Sequence, residues 1–98
     1  MEFAVVTRVK VQPDSIDEQA QLFDETNRQL VAGHDDWLGA WFTANRAESE
    51  ITVIARWKNP ESYQRLRASP EFQSTMARFA ERFAGPPIVS ANEILVEM

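Results

Sequence analysis

Ninety-eight residues, 44% hydrophobic and 26% charged, is the make-up of one folded domain over residues 1–98, a length that buries roughly 60–70% of its unfolded surface. A formal charge of −5 with ten Lys and Arg scattered singly offers no clustered positive charge to nucleic acid or to an anionic membrane. No apolar run has the length of a bilayer span, the first ten residues lack a secretion-signal layout, and zero cysteines exclude disulfides, thiol chemistry and Cys-ligated metals, so the cytoplasm is the expected compartment.

The opening "EFAVVTRVKVQ" alternates, with Phe3, Val5, Thr7, Val9 and Val11 on one face and Glu2, Ala4, Val6, Arg8 and Lys10 on the other, which predicts a strand with one firmly apolar side. "QPDS" is turn chemistry, and Asp14 or Ser15 is placed to cap a helix. From Ile16, apolar residues return at Ala20, Phe23, Leu30 and Val31, close to the helical period, and Gly33 suits a left-handed stop. "WLGAWFTA" and "ITVIARWK" read as two strands joined by the polar hairpin loop "NRAESE". Asn59 and Pro60 then end the strand and start a short helix carrying Tyr63 and Leu66. Ser69 and Pro70 restart it, and Phe72, Met76, Phe79, Ala80 and Phe83 form a core-facing stripe. "AGPP" breaks the helix, and "IVSANEILVEM" is a fourth strand. Two strand–helix–strand units predict an α+β, ferredoxin-like split βαβ sandwich: a four-stranded antiparallel sheet with two helices on one face.

Those helices cover one side only, and the other side is informative. Alternation assigns Trp37, Gly39, Trp41 and Thr43 to one face of the second strand and Leu38, Ala40, Phe42 and Ala44 to the other, so both faces are apolar. With Ala4, Val6 and Ile54 this makes an apolar helix-free surface, which predicts a homodimer packed sheet to sheet about a two-fold axis, a dimeric α/β barrel.

Trp57, at the end of the third strand, shares a face with Val53 and Ala55, and Thr7 shares that face on the first strand. Beneath the stripe of Phe72, Met76, Phe79 and Phe83 these residues form either a closed core or the wall of an apolar pocket with few polar groups, the usual build of a small-molecule site. His34, the one histidine, lies in "AGHDDW" and is either a solvated loop residue or a base that works near neutral pH. Asp35 and Asp36 are adjacent and need not converge, so no metal site is expected, and three scattered glycines make no phosphate cradle. Tyr63 and Arg67, one helical turn apart, read equally as a surface pair or a pocket rim.

At "WLGAWF", "ITVIARWKNPESYQRL" and "ASPEFQSTMARFAERF" the chain resembles the antibiotic biosynthesis monooxygenase family of dimeric α/β-barrel proteins, over nearly its whole length. The resemblance implies several possible chemistries: cofactor-independent oxygenation of phenols, haem degradation or small-metabolite isomerisation. The haem-degrading branch carries an Asn, a Trp and a His at the positions occupied here by Thr7, Trp57 and Met76, so the iron ligand is missing. The cofactor-free branch pairs its Trp with an Asn four residues earlier, which here is Val53.

The expectation is therefore a cofactor-independent monooxygenase acting on a small aromatic or phenolic, polyketide-like substrate between sheet and helices. Trp57, Thr7 and His34 are its catalytic candidates, and Val53, Phe72, Met76, Phe79 and Phe83 its substrate-binding ones, with no metal or cofactor. A non-catalytic ligand-binding dimer and a cofactor-free isomerase remain open beside it.

Overall fold

Alternation makes Phe3–Lys10 the strand β1, and in the computed structural model, which describes residues 2–98, this strand lies inside a sheet. Helix α1 (Ile16–Val31), β2 (Trp37–Asn45), β3 (Glu50–Trp57), α2 (Pro60–Arg67), α3 (Pro70–Ala80) and β4 (Ile88–Glu93) follow in that order. Spatially the strands run β2–β3–β1–β4, each antiparallel to its neighbour. With the helices on one face, this is the ferredoxin-like α+β fold.

Two apolar clusters hold helices to sheet. Val9, Val11, Ile16, Phe23, Ile51 and Phe79 form one, and Phe3, Val5, Trp57 and Leu66 the other. Both draw on the odd-numbered face of β1 and β3, which is why β-branched residues there favour strand and packing together. Residues Phe3 and Trp57 stand opposite each other, as do Thr7 and Val53. That register lines up the groups of the candidate site.

The structure differs from the sequence reading at four places. The second helical unit is two helices, α2 and α3, because Ser69 accepts a hydrogen bond from the Phe72 N–H at 3.2 Å and Pro70 at the first turn starts a new axis. Asn59 caps α2 in the same manner, accepting from the Ser62 N–H at 3.0 Å. Ser15 precedes α1 but does not cap it, since its hydroxyl donates to the Gln12 carbonyl instead. The last strand ends at Glu93, five residues before the end of the chain, although the Ile94 N–H still reaches the Glu2 carbonyl.

The fourth difference moves a tryptophan. A bulge between Trp37 and Gly39 breaks the alternation of β2, so Trp37 pairs with Trp57 while Gly39 pairs with Arg56. Trp37 therefore shares the helix-side face with Ala40 and Phe42, and Gly39, Trp41 and Thr43 keep the opposite one. Gly39 has φ +132°, a conformation that side-chain-bearing residues rarely adopt, which places the irregularity here. Gly33, at φ +81°, ends α1 as the sequence suggests.

Candidate functional site

Between the sheet and the helices lies a cavity of about 190 Å³. Its floor is the helix-side face of β1 and β3, including Val5, Thr7, Val53, Ala55 and Trp57. Its roof is α3, through Phe72, Met76 and Ala80, with Phe83 just beyond, and Phe23, Asn27 and Val31 of α1 close one side. The lining is mainly apolar. Thr7, Asn27 and Tyr63 bring hydroxyl and amide groups to it, and the Trp37 and Trp57 side chains line it as well.

Trp57 is 1% exposed and held by rings on three sides. Trp37 meets it edge to face at 5.2 Å between centroids, His34 does so at 6.1 Å, and Tyr63 lies tilted at 6.2 Å. These separations suit the quadrupoles of aromatic rings, so the indole is packed and its orientation fixed. Trp57 is at once a core residue and a wall of the cavity, and the two readings of the sequence do not compete.

The other candidates divide. Thr7, Val53, Phe72, Met76 and Phe83 line the cavity together with Trp57. His34 does not: it stands on the far side of Trp57, against an outer groove shared with Arg65 and Leu66. The reason is the short link from α1, whose left-handed Gly33 turns the chain away before His34. Phe79 also lies outside the lining. Its ring meets Phe23 edge to face at 4.7 Å between centroids and fills the neighbouring cluster, because successive turns of α3 point it one step further along the sheet than Met76.

Among the lining residues that were not site candidates in the sequence, three carry polar groups: Asn27, Trp37 and Tyr63. Trp37 was assigned to the wrong face by strict alternation. Tyr63 was left between surface and rim, and it proves half-buried against Phe3 and Trp57. Burial raises its hydroxyl pKa above the ordinary 10.0, with Arg67 opposing, so Tyr63 stays protonated and can donate at neutral pH. Asn27 sits four residues after Phe23, on the inward stripe of α1, and that polar interruption was its only signal.

Beside the cavity, Asp36 ties the start of β2 to α2. Its carboxylate accepts from the Ser62 hydroxyl and, at 3.2 Å, from the Asn59 amide, with Arg65 at 3.9 Å. These hydrogen bonds, with the Lys58 and Arg65 charges, hold its pKa below the ordinary 3.8. Among the described residues no cluster of three or more His, Asp or Glu side chains is arranged to hold a metal.

Several solved structures share this fold. Rv0793 from Mycobacterium tuberculosis is 21% identical, with a TM-score of 0.81 over 99% of this chain and 98% of that one. A variant of SnoaB, a cofactor-independent oxygenase from Streptomyces nogalater, is 16% identical, with a TM-score of 0.80 over 99% and 96%. A conserved protein of Methanosarcina mazei Go1 is 14% identical, with a TM-score of 0.77 over 93% and 90%. No curated protein matches the sequence. Residues 2–78, most of the chain, match the family described as antibiotic biosynthesis monooxygenase, and the chain belongs to that family.

Proposed function

We propose that this protein is a cofactor-independent monooxygenase that oxidises a small phenolic aromatic in the cavity beside Trp57, working as a homodimer in the cytoplasm. The observation that carries the reading is the cavity itself: an apolar space between sheet and helices with a few hydrogen-bonding groups, in a family of monooxygenases. SnoaB, a cofactor-independent oxygenase of the same fold, supports the reaction type.

The chemistry draws on the substrate. A phenolate gives one electron to dioxygen, and the superoxide so formed recombines with the ring radical to make a C–O bond. The peroxide takes up the proton that the phenol gave up, and loss of the ring proton at that carbon with cleavage of the O–O bond then leaves a quinone carbonyl and releases water. One oxygen atom enters the product, the other leaves as water, and the substrate supplies all the electrons. The protein's part is to hold the anion in a dry place and to meet its charge with donors. Thr7 and Tyr63 are the hydroxyl donors assigned to that oxygen, and Trp57 the face on which the ring packs. His34, behind Trp57, is assigned the positioning of the indole. Val53, Phe72, Met76 and Phe83 shape the space, and Phe79 supports it from the next cluster.

Oxygen uptake on 1,4-dihydroxynaphthalene, followed with an electrode, corrected for spontaneous oxidation and paired with detection of 2-hydroxy-1,4-naphthoquinone, the product of oxygen insertion at a ring C–H, is the direct test. Trp57→Phe, with folding checked by circular dichroism, is expected to lower the enzymatic rate by about tenfold or more, through loss of ring positioning. An unchanged rate in the folded variant removes Trp57 from the mechanism. Binding of the aromatic with no enzymatic oxygen uptake across a series of quinols favours the ligand-binding alternative instead.

A further inference from the structure

The polar residue that α1 puts into the cavity is not one the family resemblance supplies. The inward stripe of α1 runs Ile16, Gln19, Phe23, Asn27 and then Leu30 and Val31, and at Asn27 the helical period calls for an apolar side chain. The amide there has a fixed sense. Its Nδ2 donates to the Phe23 carbonyl at 2.8 Å, and a carbonyl only accepts, so nitrogen and oxygen cannot be exchanged without breaking that bond. Among the described residues Oδ1 accepts no hydrogen bond. What Asn27 has to offer a ligand is therefore an oriented acceptor.

Its position gives that acceptor a use. Asn27, Val31 and Trp37 line the cavity and also an outer groove of about 380 Å³ between α1 and the edge strand β2, floored by the small residues Gly39 and Ala40. Asn27 thus stands where the inner space meets the surface. The size of the space limits what passes. An apolar cavity of about 150 Å³ holds one benzene ring, and sites for drug-sized molecules begin at about 300 Å³. At about 190 Å³ this cavity has room for one ring with substituents, or two fused rings reaching into the mouth, and not for a polycyclic skeleton.

We infer that the cavity selects a one- or two-ring hydroxyarene, and that Asn27 Oδ1 is a specificity determinant, accepting a hydrogen bond from a ligand hydroxyl at the cavity mouth. This rests on the aromatic-pocket reading above but concerns binding, not turnover. A ligand without a hydroxyl leaves Oδ1 unpaired as its water is displaced, which is how a buried polar group discriminates against a close analogue.

Calorimetric titration of the whole protein with 1-naphthol, 1-methoxynaphthalene and 9-phenanthrol tests it. The wild type is expected to bind 1-naphthol about tenfold more tightly than its methyl ether, the effect of one good hydrogen bond, and at least about tenfold more tightly than the three-ring phenanthrol. In Asn27→Leu, which keeps the bulk, the naphthol-to-ether ratio is expected to fall toward one while the ring-size preference persists. Asn27→Ala serves as a second variant, since alanine is favourable within a helix and adds no bulk. Phenanthrol binding as tightly as naphthol, no naphthol binding, or a ratio that survives in the folded variants overturns the inference. Naphthol binding with the expected ratio but no oxygen uptake on any quinol leaves the inference standing and removes the oxygenase reading. Turnover of a three-ring quinol, with naphthol excluded, does the reverse.

Discussion

Two amides occupy core-facing positions on α1, and they differ in how they are compensated. Asn27 is half-buried and bonded to the turn before it. Gln19 is 4% exposed, and its Oε1 has no partner. A buried acceptor without a hydrogen bond costs about 1–3 kcal/mol in lost hydration, and the glutamine side chain adds the entropy of a long chain held still. Replacing Gln19 by Leu removes the acceptor and adds apolar burial beside Ile16 and Phe23. Gln19→Leu is expected to stabilise the fold by about 1 kcal/mol, a rise of several degrees in Tm for a domain of this length. A lower Tm in scanning calorimetry sinks this account and means that the amide is satisfied by water. Single residues were readable in the sequence where alternation or helical spacing carried them: Thr7, Val53 and Trp57 fall on the cavity floor by the parity of their strands. Asn27 escaped because a search of the apolar stripe passes over the polar residue within it. Trp37 escaped because one inserted residue reverses the parity of everything before it.

At the level of elements, caps and breakers were the dependable signals and the loop geometry the weak one. Asn59–Pro60 and Ser69–Pro70 start helices because a side-chain oxygen meets a free N–H just where proline has none to lose. Nothing local predicts that Asp36, twenty-three residues earlier, also engages Asn59, or that it reaches the buried Ser62 hydroxyl. That junction joins β2, α2 and, through the Lys58 N–H bound to the Asp36 carbonyl, the end of β3. It fixes both the strand that ends in Trp57 and the helix that carries Tyr63. Its strength depends on pH in a known direction. The folded-state pKa of Asp36 lies below the ordinary 3.8, so its stabilising contribution is complete above that value and is lost as pH falls through the depressed one. The Arg46 hydrogen bond and charge lower the Asp17 pKa as well, so the informative quantity is a difference between two proteins. Thermal stability of the wild type is expected to drop more steeply below pH 3.8 than that of Asp36→Asn, which keeps the shape and has no charge to lose. Parallel curves for the two proteins mean that the junction contributes nothing that ionisation controls.

For the whole molecule the question is what covers the second face of the sheet. Ala4, Val6 and Ile54 form an apolar centre on β1 and β3, with Val6 directly opposite Ile54. Trp41 at 58% exposure flanks it on β2, and Ile88 at 68% on β4. Around that centre the face turns polar and paired: Arg56 binds Glu2 at 3.1 Å, and Lys10 faces Glu50 at 3.7 Å. An apolar middle inside a charged rim is the plan of an interface, and a two-fold axis through the sheet would set Val6 and Ile54 against their own copies. Charge introduced there separates the two cases. A lysine at position 54 is harmless on a face already in water, but at a two-fold axis it meets a second buried lysine, which the dimer cannot tolerate. The wild type is expected to sediment at twice the chain mass, and Ile54→Lys and Val6→Lys each at the mass of one chain with native circular dichroism. A wild type that sediments as one chain ends the dimer proposal, and so do folded variants that stay paired. Because the cavity opens on the opposite side of the sheet, the same variants also show whether the partner matters to the site. Naphthol binding that survives in the monomer means that each chain carries a complete pocket, and the second copy serves only to keep the apolar face dry.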